Sequence, residues 1–398
     1  MKPARILHFR PSSFVGGPER QLLRYAQLDQ SGSTHTILGT LVGEHEGQAF
    51  LGAAKERGLE ALALPAGSLG DCAALPFLLR SLKERAISLV CTHGYQADLM
   101  GIIASLMRHI PVACFLRGWT GEDWKVGAYE WADRAFLPLA TRVVCLSQTQ
   151  ASRLARRRSL RSKIRVVLNA VEIRNLSPEE RLRARQEVRK RFGFSQECPV
   201  VALAGRLSPE KGAAYLIQAV PHLLDQSRDV RFVIFGDGRL RSYLEEMASR
   251  LGVAECVAFA GHVPEFPSLL PGIDVLVNCS LTEEMPNVVL EALASAVPVV
   301  ATDVGSVREI AGDEDALVVV PPADAVAIAG AVAGLLRDPA RTRAVGGSGQ
   351  KRVREAFSPA RQSEQLWALY RELIPSLSSA QATPGFASEA GALDRADA

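Results

Sequence analysis

VVALAGRLSPEKGAAYLIQAV, Val200 to Val220, is the stretch that decides the fold. Its first five residues are a short, uninterrupted apolar run rich in β-branched side chains, the mark of a strand covered on both faces. A turn containing Gly205, Pro209 and Gly212 follows. The apolar run AAYLIQAV then reads as a helix. A strand followed by a helix is half of a βαβ unit, and repeats of it lay strands parallel with helices on both faces of one sheet. Outward from Val220 the same alternation continues through VRFVIFGDG, CVAFAGH, DVLVNCS, PVVATDV and ALVVV. Upstream, ARILHF, HTILGTLV, LEALALP, ISLVCTH, PVACFLRG, RVVCLS and IRVVLNA form an earlier series. Its helices are expected at Glu19 to Asp29, Asp71 to Arg85 and Gln96 to Arg108.

The polar, basic stretch between the two series predicts two doubly wound α/β domains joined by a linker. A chain of 398 residues agrees, since single cores stop growing at about 250 to 300 residues. The expected boundaries are 1–172 for the first domain, 173–195 for the linker and 196–356 for the second. A helix over 357–374 carries Leu366, Leu369, Tyr370 and Leu373 on one face. Residues 375–398 contain few large apolar side chains and no period, so a disordered tail is expected there.

Hydrophobic residues make up 47% and charged ones 22%, which places the chain among soluble proteins with a large interior. The longest apolar stretch, Ala325 to Leu336, is well short of the roughly 18 residues of a membrane span. MKPARILHF enters a strand without the apolar region of a signal peptide, so a cytoplasmic location is expected. The seven cysteines include no C-x-x-C pair, and they read as buried free thiols. A net charge of +3 does not imply nucleic acid. The basic residues between Arg153 and Arg191 read first as solvated helix faces, and second as peripheral contact with an anionic membrane.

Ligands of open α/β sheets bind beyond the carboxyl ends of the strands, so four loops of the second series converge on one place. Arg206 and Lys211 stand at a helix N-terminus, where two cations and backbone N–H groups suit a diphosphate. Two ordinary surface charges are an equal alternative. Gly236 and Gly238 flank Asp237 in a turn that allows close approach of a ligand, although a plain turn is the commoner reading. His262, beside Val263, ends a strand, where a structural histidine is the commoner reading. The fourth loop, TEEMPNVVLEALASAVPVV from Thr282, is the most telling. Pro286 suits the first turn of a helix, and Asn287 and Glu291 share one face. A carboxylate inside an apolar run is costly unless paired or bound to a polar ligand. The hydroxyls of a ribose or hexose fit it, and a neighbouring cation such as Arg206 is the alternative.

Taken in order, GRLSPEKG, Gly236-Asp237-Gly238, Gly261-His262, the E-x7-E from Glu283 to Glu291, and VATDVGSVREI resemble the retaining glycosyltransferases of family GT4. The resemblance extends to GGPERQLL at Gly16, LNAVE at Leu168 and FSPARQ at Phe357. It implies the GT-B fold, two Rossmann-like domains facing a central cleft, with the last helix returning to the N-terminal, acceptor-binding domain. It implies transfer of a sugar from a nucleotide-diphosphate sugar to a hydroxyl, with retention, in polysaccharide or glycoconjugate assembly. Arg206 and Lys211 would hold the diphosphate and Glu291 the ribose. Glu283, with Met285, Pro286, Asn287 and Val288, would orient the donor sugar. Gly16 and Gly17 would contact the phosphates, and His93 would face the sugar. No cofactor, metal or nucleic acid is expected; the partners are the donor and a saccharide or lipid-linked acceptor. Asp313-Glu314-Asp315 fits a metal-holding Asp-x-Asp pattern but reads as a solvated turn.

Two departures mark this chain. Glu284 follows Glu283 where the family carries glycine, which alters the donor-sugar contacts. Arg117 stands where many members carry histidine, and it could bind an anionic acceptor or a phosphate, or pair with Glu122 or Asp123. A sugar-nucleotide epimerase on the same architecture and a non-catalytic sugar-nucleotide-binding protein remain as alternatives.

Overall fold

The computed structural model describes residues 3–12, 14–28, 32–43, 47–65, 74–118, 124–227, 229–312 and 315–377. Among them the chain forms two parallel sheets. The first contains β1 (Ala4–Phe9), β2 (Thr34–Val42), β3 (Ala61–Pro65), β4 (Ile87–His93), β5 (Val112–Phe115), β6 (Arg142–Cys145) and β7 (Ile164–Val166), in the order β3-β2-β1-β4-β5-β6-β7. The second contains β8 (Val200–Ala204), β9 (Arg231–Phe235), β10 (Val257–Gly261), β11 (Val275–Asn278), β12 (Val299–Thr302) and β13 (Val318–Val320), in the order β10-β9-β8-β11-β12-β13. Each sheet reverses its winding once, between β1 and β4 and between β8 and β11, which makes these the two switch points. The described residues divide into one unit within Met1–Asn169 and Ala360–Ala398, and another within Ala170–Pro359.

Alternation along β1 sends Leu7 and Phe9 to one face of the first sheet and Ile6 and His8 to the other. The last helix, Pro359–Leu373, covers the second of these faces with Leu366, Leu369, Tyr370 and Leu373. That is the apolar face expected from the sequence. Each fully buried leucine contributes about 1.5–3 kcal/mol. The pairs of Glu372 with Arg142 and Arg165 lie partly in water and add at most about 1 kcal/mol each. Packing therefore holds this helix, and the ion pairs trim its position.

Part of the stretch expected to be a linker is a helix of the second unit. Pro178–Phe192 opens with a capping box between Ser177 and Glu180 and ends at Gly193 in the left-handed region. Arg189 is fully buried, donating to Asp274, to the Gly272 carbonyl and to the Cys198 carbonyl. Several arginines that read as a solvated basic face thus anchor the helix instead. Pro375–Leu377 forms a short turn with Leu377 buried. The rest of the expected tail, with Cys72, Glu122, Asp123, Asp313 and Glu314, lies outside the described residues. The six described cysteines are free thiols, five of them buried.

Candidate functional site

The loops beyond β8 to β12 are joined edge to edge. Leu207 N–H donates to the Asp237 carbonyl at 2.9 Å, and Gly236 N–H donates to that of Gly261 at 2.7 Å. On the other side, Leu281 N–H donates to Glu210 at 2.8 Å and the Thr302 hydroxyl to Ser280 at 2.5 Å. Two glycines permit this closeness. At Gly236, φ is +119° and a Cβ would lie 1.9 Å from the Gly205 carbonyl oxygen. At Gly212, φ is +62° and a Cβ would lie 2.1 Å from that of Cys279. Neither position accepts a side chain without moving a neighbouring loop.

At the β8/β11 switch point Lys211 donates to the carboxylate of Glu283, which also accepts from the Ser280 hydroxyl at 2.9 Å. Two residues read separately in the sequence are thus partners. Arg206 is half exposed, with its guanidinium 3.5 Å from Glu210. Burial alone would raise the Glu210 carboxyl, but the Ser208 hydroxyl, the backbone and the charges of Arg206 and Lys211 hold it below the ordinary carboxylate range. Sequence reading missed Glu210; its signal was the Ser208-Pro209-Glu210 run at the start of a helical turn.

The helix Asn287–Ala294 begins at the same edge, with Pro286 one residue before it. Pro286 therefore precedes the helix and does not occupy its first turn. Met285 and Pro286 are buried, and the Ser306 hydroxyl approaches the Met285 sulfur at 3.5 Å. Asn287, Val288 and Glu291 are partly exposed on a helix whose other residues are buried. The positive end of the helix dipole and two cations are thus concentrated at one strand edge. His262 is exposed and Val263 buried at the end of β10.

The first unit carries a different kind of centre. Glu19, almost fully buried, accepts from Arg10 Nε at 2.5 Å, the Ser12 hydroxyl at 3.1 Å and Gly16 N–H at 2.9 Å. It fixes the turn at Gly16 and Gly17. Arg10 also reaches the His93 carbonyl at 3.2 Å. His93 is 1% exposed. Its Nδ1 lies 3.0 Å from Arg117, its Nε2 3.0 Å from His8 Nδ1, and His8 Nε2 2.8 Å from the Tyr370 hydroxyl.

Burial, with the charge of Arg117, pushes His8 down to about 3 and His93 well below its ordinary value, so both rings are neutral. Arg117 can only donate, so His93 Nδ1 accepts and its proton sits on Nε2. The same logic puts the His8 proton on Nε2, directed at Tyr370. The row runs in one direction, Arg117 to His93 to His8 to Tyr370. Both ring nitrogens of His93 are engaged within the protein, one of them by the partly exposed Arg117. Arg117 also donates to Asn169 at 3.3 Å. The expected alternative partners Glu122 and Asp123 lie outside the described residues. His8 was missed as a plain strand residue, although a histidine inside ARILHF was itself a signal of a buried polar contact.

Among the described residues there is no cluster of three or more His, Cys, Asp or Glu side chains able to hold a metal ion. Asp315 is exposed.

The sequence matches the family model described as Glycosyl transferases group 1 over residues 198–338, and the Glycosyl transferase 4-like domain over residues 16–170. It is 31% identical over 249 residues to the alpha-D-kanosaminyltransferase of Streptomyces kanamyceticus, covering 61% of this chain and 64% of that one. It is 39% identical over 176 residues to the GDP-mannose-dependent alpha-(1-6)-phosphatidylinositol monomannoside mannosyltransferase of Mycolicibacterium smegmatis, covering 42% and 46%. The match thus spans less than two thirds of either relative. In structure, the chain is similar to HepE of Anabaena in complex with UDP-glucose, with a TM-score of 0.81 at 21% identity over 93% of this chain and 100% of that one.

Proposed function

The chain belongs to the group 1 glycosyl transferases with a 4-like N-terminal domain, and from that premise we propose that it transfers a sugar from a nucleoside-diphosphate sugar to an acceptor hydroxyl. The observation that carries the reading is the joined pair Lys211–Glu283 at the β8/β11 switch point, with Arg206 and the N-terminus of the helix Asn287–Ala294 at the same edge. A diphosphate meets two cations and a helix dipole there. Glu283 and the Met285–Val288 backbone take the donor sugar, Glu291 the ribose, and Gly236, Gly238, His262 and Val263 the base side. In the first unit, Gly16 and Gly17 have no side chains to keep a phosphate at a distance.

In the reaction the acceptor oxygen attacks the anomeric carbon while the bond from that carbon to the phosphate oxygen breaks. The bonding pair leaves with the nucleoside diphosphate, and the hydroxyl proton passes to its phosphate oxygen. Retention follows from attack on the face the diphosphate leaves. Arg206 and Lys211 stabilise the growing phosphate charge, the kind of contribution that is commonly the largest in such a site. No metal is needed in this scheme.

Arg117, oriented by His93 and Asn169, serves the acceptor, which we take to be a saccharide or a lipid-linked one met at the inner face of a membrane. The named activity of the mannosyltransferase relative, on a phosphatidylinositol monomannoside, supports a lipid-linked acceptor. The test is release of nucleoside diphosphate from a panel of UDP-, GDP- and ADP-sugars in EDTA, with water as the slow acceptor. Steady release that disappears in Lys211→Ala supports the reading; no release from any donor, or release unchanged in that variant, overturns it. Conversion of the donor to an epimer without release would favour an epimerase.

A further inference from the structure

Between Arg134 and Val171 the sequence holds nine cations and no carboxylate. Arg142 and Arg165 pair with Glu372, and Lys163 donates to the carbonyls of Pro138 and Ala140. Arg156, Arg157, Arg158 and Arg161 are exposed in the loop before β7. That loop lies against the helix Trp124–Phe136, since Arg157 donates to the Arg134 carbonyl at 3.3 Å. On that helix Trp131 is 73% exposed, and Phe136, Leu139, Leu106 and Met107 are exposed nearby at the ends of it and of the packed helix Tyr95–Arg108. In a parallel sheet those helix ends and the loop before β7 share one edge. Alongside runs an open groove of about 630 Å³ lined by Arg80, Lys83 and Arg108 against a single carboxylate, Glu84.

We propose that this surface docks the protein on an anionic membrane, with Trp131 at the headgroup level and Arg156–Arg158 on lipid phosphates. The inference goes beyond the transferase reading, since these helix ends and the loop before β7 precede strands, whereas Arg117 follows the C-terminal end of β5. Exposed aromatic and aliphatic side chains among arginines fit an interface that is apolar below and anionic above. A second copy of the chain fits poorly, because a two-fold contact would set this surface against its own charge. The structure also divides the basic stretch of the sequence. The helix Pro178–Phe192 belongs to the other unit, and its Arg181, Arg185 and Arg189 bond within that unit.

The test is sedimentation of the full chain with phosphatidylcholine vesicles, with and without phosphatidylglycerol, alongside calorimetric titration of the donor. Binding is expected only with phosphatidylglycerol and should fade at about 0.5 M salt. A cation near such a surface is worth about fivefold in affinity, so R156E/R157E/R158E, which removes three cations and adds three anions, should weaken binding by at least about a hundredfold. W131A should weaken it as well, and R183E/K190E/R191E on the other helix should leave it unchanged. Equal binding to neutral vesicles, no binding to anionic ones, or equal loss in the two triple variants would overturn the proposal, as would self-association or RNA binding that depends on the same residues. Intact donor binding with failed vesicle binding removes the surface alone; the reverse removes the transferase reading alone.

Discussion

Lys211 donates to the carboxylate of Glu283, across the two strand-end loops that flank the reversal of the second sheet. This carboxylate fixes the position of the ammonium, which in the proposed reaction meets the diphosphate. It also leaves one oxygen, Oε2, for a sugar hydroxyl.

Lys211→Ala should lower turnover about 10²- to 10³-fold, the range for loss of one donor to developing charge. Glu283→Gln should separate two effects. Affinity for the nucleoside diphosphate should be kept or rise, because the lysine loses its competing carboxylate, while sugar transfer falls. Titration with the diphosphate and with the sugar nucleotide distinguishes them; an equal loss for both ligands would contradict the division of roles.

Gly212→Ala should destabilise the protein by about 2 kcal/mol or more. The left-handed backbone alone costs roughly 1–2 kcal/mol for a residue with a Cβ, and the new methyl would press on the Cys279 carbonyl. The shift should appear in urea unfolding together with weaker donor binding. An unchanged midpoint would show that the two loops can separate freely.

Tyr370→Phe removes the acceptor for His8 Nε2. A buried donor left without a partner costs about 1–3 kcal/mol. Nitrogen chemical shifts should place the protons of both His8 and His93 on Nε2 in the wild type. In the variant Arg117 still fixes both tautomers, so the protons should stay on Nε2 while stability falls by the cost of the unpartnered His8 donor. A proton on His93 Nδ1 in the wild type would contradict the assignment.

The same row sets a pH dependence. The folded protein holds His8 at about 3, whereas an unfolded histidine titrates near about 6.5. Between these values the unfolded state binds the extra proton, so stability is full above about pH 6.5 and falls as pH is lowered towards 3, by an amount on the order of a few kcal/mol. His93 acts in the same direction. The melting temperature of His8→Gln should therefore fall less steeply between pH 7 and 4 than that of the wild type.

The fold was legible because buried parallel strands are uninterrupted apolar runs, and each of the thirteen runs read as strands contains one. The helix Pro178–Phe192 was not, since its strong charge hides the few side chains that pack. Only the structure reveals that Arg189 meets Asp274, 85 positions away. In the site, Arg206, Lys211, Glu283 and Glu291 stood out as charges at strand ends or inside apolar runs. Their pairing did not, because Lys211 and Glu283 come from loops whose adjacency depends on strand order. The row from Arg117 to Tyr370 was least visible, as it joins β1, β4, the segment after β5 and the last helix.

The switch-point loops of the second unit are proposed to bind a sugar nucleotide through Lys211 and Arg206. The most direct test is calorimetric titration of the whole protein, in EDTA, with UDP-, GDP- and ADP-sugars, repeated on Arg206→Ala/Lys211→Ala. One donor should bind at a single site, and its affinity should fall about a hundredfold or more in the variant while the melting temperature stays close to wild type. Failure of every donor to bind, or equal affinity in the variant, would contradict the account.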